Sequence, residues 1–123
     1  MTKELFIKDV MAKPVTIAKS AKVTEALDRM LDEGIDPMIA LHNTSVAGTV
    51  SRQAIAEKLG SKQNSSLAPS ALHVASVVDE DFTSIYPDQS INVLVPLLQR
   101  YKLVVVYDSD HKLIGQVLSL IHI

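Results

Sequence analysis

One pattern of residues runs through this chain twice, its two copies 67 to 68 positions apart. Ile17 corresponds to Ile85, Val23 to Ile91, Ala26 to Leu94, Leu27 to Val95 and Met30 to Leu98; further on, Val46 corresponds to Leu113, Gly48 to Gly115 and Val50 to Val117. The change of offset between the two sets implies one insertion or deletion. An internal repeat constrains the fold more than any local feature, because each copy is one supersecondary unit whose apolar face needs a neighbour. In a chain of 123 residues each copy is too short to be comfortably stable alone, so the pair is the expected folding unit. Two similar units related by a rough two-fold axis also leave clefts, where a site is expected.

The composition narrows the function. Apolar residues make up 47% of the chain and aromatics 4%, with no Trp, so the core must be aliphatic. Twelve basic and fourteen acidic residues give a net charge of −2, which lacks the electrostatic footprint of a nucleic-acid binder. With no cysteine, disulfides and thiolate chemistry are excluded. The opening MTKELFIKDVM has no apolar core of a secretory signal, and no run approaches the length of a membrane span. A cytoplasmic protein is the expectation.

The periodicity places the elements. Ile7–Met11 reads as a brief helical or bridging lead, broken by Pro14, and Val15–Ile17 as a short strand. Val23, Ala26, Leu27, Met30 and Leu31 then trace one face of an amphipathic helix, with Gly34 where a left-handed cap belongs. Met38–Leu41 is a short apolar run, hence a buried strand; 42–45 is a turn, and Val46–Val50 returns as a strand. Ser51 is placed to cap a helix Arg52–Leu59 that Gly60 ends. The polar 60–70 stretch links the copies. The second copy gives a strand Phe82–Ile85, Ser90 as N-cap, a helix Ile91–Gln99, a strand Leu103–Tyr107, a turn Asp108–His111 and a strand Leu113–Leu118. Pro96 inside that helix would cost about 3 kcal/mol relative to Ala, so the helix is expected to kink or to start later. Only Ser119–Ile123 stands where copy one has its closing helix, which is expected to be truncated or completed by a partner. The boundaries read from sequence are 1–60 for the first motif, 61–73 for the linker and 74–123 for the second.

Little in the chain suggests catalysis. There is no Ser/His/Asp set, no paired-carboxylate motif and no glycine-rich phosphate loop. His42, His73, His111 and His122 lack metal-ligand spacing, and Asp108-Ser109-Asp110 lacks the rest of a calcium loop. No catalytic or metal residue is expected.

The repeated order of strand, helix, strand, turn, strand, helix resembles the CBS domain, a module that normally occurs in tandem pairs (the Bateman module). The resemblance is carried by Ile7-Lys8-Asp9-Val10-Met11 with Lys13 through Ile17, by Val23 through Met30, and in copy two by Leu103 through Asp108 with Lys112 through Gly115. It implies an α/β fold of two pseudo-two-fold-related CBS motifs, each a small sheet packed against two helices. It also implies clefts that take adenosine ligands such as AMP, ADP, ATP or S-adenosylmethionine, the shift of geometry on binding being passed to another protein. Such signalling requires a ligand that prefers one state.

Adenosine-binding members of the family read Gly-x-x-Thr/Ser-x-x-Asp after the second strand of the hairpin, the Asp accepting hydrogen bonds from the ribose. Copy one matches the hydroxyl with Ser51 but has Ala54 at the Asp position. Copy two has Leu118 and Ile121 at both positions; a slip of one residue would recover Ser119 but place His122 where Asp belongs. The ribose clamp is therefore missing from both. Copy one keeps more of the site: backbone groups of Thr16 and Ile17, an apolar slot at Pro37 and Met38, and Ser51 with Arg52 as a phosphate grip at a helix N-terminus. The matching surface of copy two is Ser84, Ile85, Val104 and Val105. Each polar residue also has a plainer role, Ser51 as a cap and Arg52 as a solvated or paired side chain. The resulting expectation is a non-enzymatic regulatory module with no required cofactor, sensing an adenine nucleotide or S-adenosylmethionine. It would form a homodimer and act on a separate effector protein, with no membrane or nucleic-acid partner. The competing reading is a ligand-free dimerisation or scaffold module with degenerate clefts.

Overall fold

The computed structural model describes residues 4–60 and 71–119. The closing segment 120–123, with Ile121 and His122, and most of the linker lie outside them. In chain order the elements are α1 (Ile7–Val10), β1 (Thr16–Ala18), α2 (Val23–Glu33), β2 (Met38–His42), β3 (Ser45–Val50), α3 (Arg52–Leu59), β4 (Thr83–Ile85), α4 (Leu94–Arg100), β5 (Leu103–Tyr107) and β6 (Leu113–Leu118). Short 3₁₀ turns occupy Val74–Ser76 and Ile91–Val93. The fold is α/β with two three-stranded sheets, β1-β2-β3 and β4-β5-β6, and the same motif is built twice.

The chain divides into a continuous unit, Val15–Asp81, and a discontinuous one, Met1–Pro14 with Phe82–Ile123. In each sheet the central strand is parallel to the first and antiparallel to the third. The central strands β2 and β5 are the continuous apolar runs of the sequence, as expected where both faces of a strand are covered. The core of the continuous unit gathers Ile17 from β1, Val23, Ala26 and Met30 from α2, Met38 and Ala40 from β2, and Ile55 from α3. Gly34 caps α2 in the left-handed conformation at φ 63°, its N–H donating to the Met30 carbonyl. In the discontinuous unit Ile85, Leu94, Val104 and Val106 form the core.

The packing units are cut differently from the sequence repeat, because the segment leading into each copy folds onto the other copy's sheet. Leu72, Val74 and Val77 belong to the core around α2, whereas Ile7 belongs to the core around Val104 and Val106. The backbone bonds match one for one. The Val74 N–H donates to the Ala21 carbonyl and the Ala75 N–H to Lys19; correspondingly the Ile7 N–H donates to Gln89 and the Lys8 N–H to Pro87. Each lead then forms a bridge to the third strand, Asp79 to Thr49 and Ala12 to Gln116.

The strand registers locate the length changes between copies. Ile17 opposite Ala40 repeats as Ile85 opposite Val106, and Ala40 opposite Gly48 repeats as Val106 opposite Gly115. The offset is thus 68 in the first strand, 66 in the second and 67 in the third. The single insertion or deletion expected from sequence is replaced by two changes. One is between helix and central strand and the other is in the hairpin. The helices also start differently, as Pro96 requires. Ser90 Oγ accepts from the Asn92 N–H and caps a 3₁₀ turn, and α4 starts only at Leu94. Pro96 then sits in the first turn, where its missing N–H breaks no intrahelical bond. The 3₁₀ turn also changes the phase, leaving Val95 exposed although its counterpart Leu27 packs on the core.

Candidate functional site

In the continuous unit the sheet brings most of the copy-one candidates to one end. Because β1 and β2 are parallel and β3 is antiparallel, the starts of β1 and β2 meet the end of β3: Thr16 lies opposite Ile39, and Met38 opposite Val50. Pro37, preceded by a cis peptide from Asp36, leads into β2, and Ser51 follows β3. Ser51 Oγ accepts from the Ala54 N–H at 3.0 Å and so caps α3. Its own hydroxyl proton remains a separate donor. Arg52 opens the helix with its side chain largely exposed, and its Nε lies 3.0 Å from Asp36 Oδ2. Its backbone N–H reaches Asp36 Oδ1 at 3.3 Å. Ala54 presents only a methyl group at the ribose-clamp position, in the first turn of a helix that has no acidic residue there.

Other candidates are turned into the core. Ile17 and Met38 are buried side chains of the core around α2, which leaves their backbone, not their side chains, for any ligand. The Thr16 carbonyl accepts from Arg29 Nη1 at 2.9 Å, and the Val15 carbonyl accepts from the Ile39 N–H at 3.1 Å. Two groups absent from the sequence-based set therefore shape this end. Arg29 holds the start of β1 from α2 while pairing with Glu33 at 3.0 Å, and Asp36 holds Arg52. Their sequence signals are faint: an i, i+4 pair on a helix, and an acid before a proline.

The matching end of the discontinuous unit is more apolar, with Leu118 where the first has Ser51. Ser84 and Val105 are opposite one another in β4 and β5, with Ser84 exposed and Val105 fully buried. Ile85 and Val104 are core side chains. Val104 opposite Val117 repeats Met38 opposite Val50, so the register sets Leu118, not Ser119, at the position of Ser51. The Ser119 N–H donates to the Lys102 carbonyl instead. At the hairpin end of this unit, Tyr107 stacks on His111 with ring centroids 4.2 Å apart. Burial, and then the neighbouring Tyr86, push its phenol above the usual value, so it stays neutral at physiological pH.

Among the described residues no group of His, Cys, Asp or Glu is arranged to hold a metal ion, and no helix is long and apolar enough to cross a membrane.

The model of the CBS domain family matches this chain twice, over residues 7–61 and 74–119. No curated protein matches its sequence. Similar solved structures include a CBS domain-containing protein of unknown function from Bacillus anthracis, with a TM-score of 0.81 and 14% identity, covering 93% of this chain and 86% of that one. CBSX2 in complex with AMP matches with a TM-score of 0.74 and 18% identity, over 93% of this chain and 90% of that one. The CBS domain pair of protein MJ0100, in complex with 5'-methylthioadenosine and S-adenosyl-L-methionine, matches with a TM-score of 0.78 and 16% identity, over 95% and 91%.

Proposed function

The chain belongs to the CBS domain family as a tandem pair, and on that premise we propose that it is a non-catalytic regulatory module for an adenosine-containing ligand. The observation that carries this reading is the sheet end of the continuous unit, where Thr16, Pro37, Ser51 and Arg52 converge. Similarity to CBSX2 and to MJ0100, whose structures hold AMP and S-adenosylmethionine with methylthioadenosine, supports the ligand class. In this reading Ser51 donates its hydroxyl proton to the ribose or phosphate while keeping its cap. Arg52 exchanges Asp36 for a phosphate. That exchange is cheap, because a surface ion pair contributes only about 0–1 kcal/mol. With Ala54 unable to clamp the ribose, affinity is lower than a complete site would give and rests more on phosphate and base.

Calorimetric titration with AMP, ADP, ATP, S-adenosylmethionine and methylthioadenosine tests the reading. A ligand at one hundred times its dissociation constant stabilises the fold by roughly 2.7 kcal/mol, so thermal unfolding reports the same event. No response to any of the five overturns the reading. Arg52→Ala is expected to weaken AMP about ten-fold and adenosine less than two-fold; equal losses would remove Arg52 from the phosphate. Ala54→Asp is expected to strengthen adenosine binding several-fold by supplying the missing acceptor for the ribose. Because an acid in the first turn also stabilises the helix by about 0.5 kcal/mol, this gain must be read from a titration isotherm, not from melting alone.

A second reading, a scaffold that dimerises without ligand, is favoured by Leu118 in place of the hydroxyl and by exposed apolar side chains. Leu31 on α2 is 66% exposed and Val95 on α4 is 62% exposed. In either reading we propose a cytoplasmic homodimer that acts on a separate effector protein, the exposed helix faces meeting in the dimer.

A further inference from the structure

The other end of the continuous unit's sheet carries a groove that neither reading uses. It has a volume of about 610 Å³ and is lined by Lys19, Ser20, His42, Asn43 and His73, with Leu41 and two alanines between them. Small-molecule sites span roughly 300–1,000 Å³. Backbone bonds hold its walls together. The Lys19 N–H donates to the Leu41 carbonyl at 2.8 Å, the Lys19 carbonyl accepts from the Ala75 N–H at 2.8 Å, and His73 is bridged to Lys22. The end of β2 and the turn after it then present His42 and Asn43, the latter at φ 56°.

The chemistry of this lining has one direction. It combines an ammonium, two imidazoles, a hydroxyl and a carboxamide, all able to donate hydrogen bonds, and no carboxylate. The repeat supplies an internal control. By the matched backbone bonds and strand registers, Lys19 corresponds to Pro87, Lys22 to Ser90, His42 to Asp108 and His73 to Phe6. At the corresponding hairpin the Asp108 carboxylate accepts from the Asp110 and Lys112 N–H groups, with Asp88 exposed on the preceding turn. The fold itself does not demand basic residues at this place, and a chain of net charge −2 has no general surplus of them. We infer that the groove binds a small anion bearing phosphate or carboxylate groups, at the end of the sheet away from Thr16 and Ser51.

Titration of the ¹⁵N-labelled full chain with inorganic pyrophosphate, and separately with citrate, tests this without any adenosine. At least one of the two anions is expected to give saturable amide shifts clustered at residues 18–20, 41–43 and 73–75, and which one does so assigns phosphate or carboxylate. The combined variant Lys19→Gln/His42→Gln/His73→Gln is expected to weaken that anion at least ten-fold. His42→Gln alone, at the exposed end of β2 where folding is not at stake, is expected to weaken it at least three-fold. Arg52→Ala should change it by less than two-fold, which separates this groove from the nucleotide reading. No saturable shift at those three segments with either anion, or unchanged affinity in the His42→Gln protein, overturns the inference.

Discussion

Ile7→Ala is expected to destabilise the protein by about 3 kcal/mol, with the loss concentrated in residues 82–119. Ile7 is fully buried among Ile85, Leu94, Val104 and Val106, although it is far from all of them in sequence. Truncating it removes transfer free energy and leaves a cavity that the surrounding side chains, three of the four β-branched, cannot readily fill. The segment around it is also tied down by backbone bonds: Ile7 to Gln89, Lys8 to Pro87, Ile91 to Leu5, and Ala12 to Gln116 in both directions. The backbone will therefore hold while the core loses volume. Hydrogen exchange resolves where the loss falls. Protection in β5 should drop by more than protection in β2, since exchange free energies follow the local cooperative unit. A drop confined to β2, next to Ile7 in the sequence repeat, would contradict the assignment of the lead segment.

The second large effect is expected at Gly48. Gly48→Val should cost about 3 kcal/mol or more, near the upper end for overpacked sites. Gly48 has φ 155°, which L side chains rarely adopt, and a Cβ there would overlap the Asp79 carbonyl oxygen and lie 2.7 Å from Val78 Cγ1. That carbonyl accepts from the Thr49 N–H at 3.0 Å, and the Asp79 N–H donates back to Thr49 at 2.8 Å. Relieving the clash means breaking this bridge, so the cost falls on backbone that cannot shift alone. Gly115 is the built-in comparison. A Cβ there would meet Met11 Sδ at 2.6 Å and the Ala12 carbonyl oxygen at 3.2 Å, and the flexible thioether can swing aside. Chemical denaturation of Gly48→Ala and Gly115→Ala should therefore rank the first as clearly more damaging. The reverse order would show that the bridge at Asp79 yields more easily than its geometry indicates.

Most elements could be read from the sequence because local and tertiary preferences agree in them. The spacing of Val23, Ala26 and Met30, with Gly34 as stop, defines α2, and Ser51 with its hydroxyl cap defines the start of α3. Two features were beyond a linear reading. Pro96 gave warning of trouble, but the choice between a kink and a late start depended on whether Ser90 could stabilise a 3₁₀ turn first. The destination of the lead segments could not be read at all. Both carry a similar apolar pattern, and nothing in a pattern says which sheet will receive it. The candidate site divides in the same way. The cap at Ser51 and the absent acid at Ala54 are properties of one segment and were legible. Arg29 on the Thr16 carbonyl and Asp36 on Arg52 span 13 and 16 residues, and Met38 was read as a lining side chain although it fills the core. Contacts of that range exist only once the sheet is formed.

The crossed-over leads bear on how such a molecule arose. A solitary ancestral copy, with its entry segment made to fit a sister's sheet, would have been incomplete by itself and whole only when two chains traded arms. Fusing the two genes would have turned that trade between molecules into one within a single chain. The two halves could then differ at positions such as Lys19 and Pro87, but neither could discard its sister's arm.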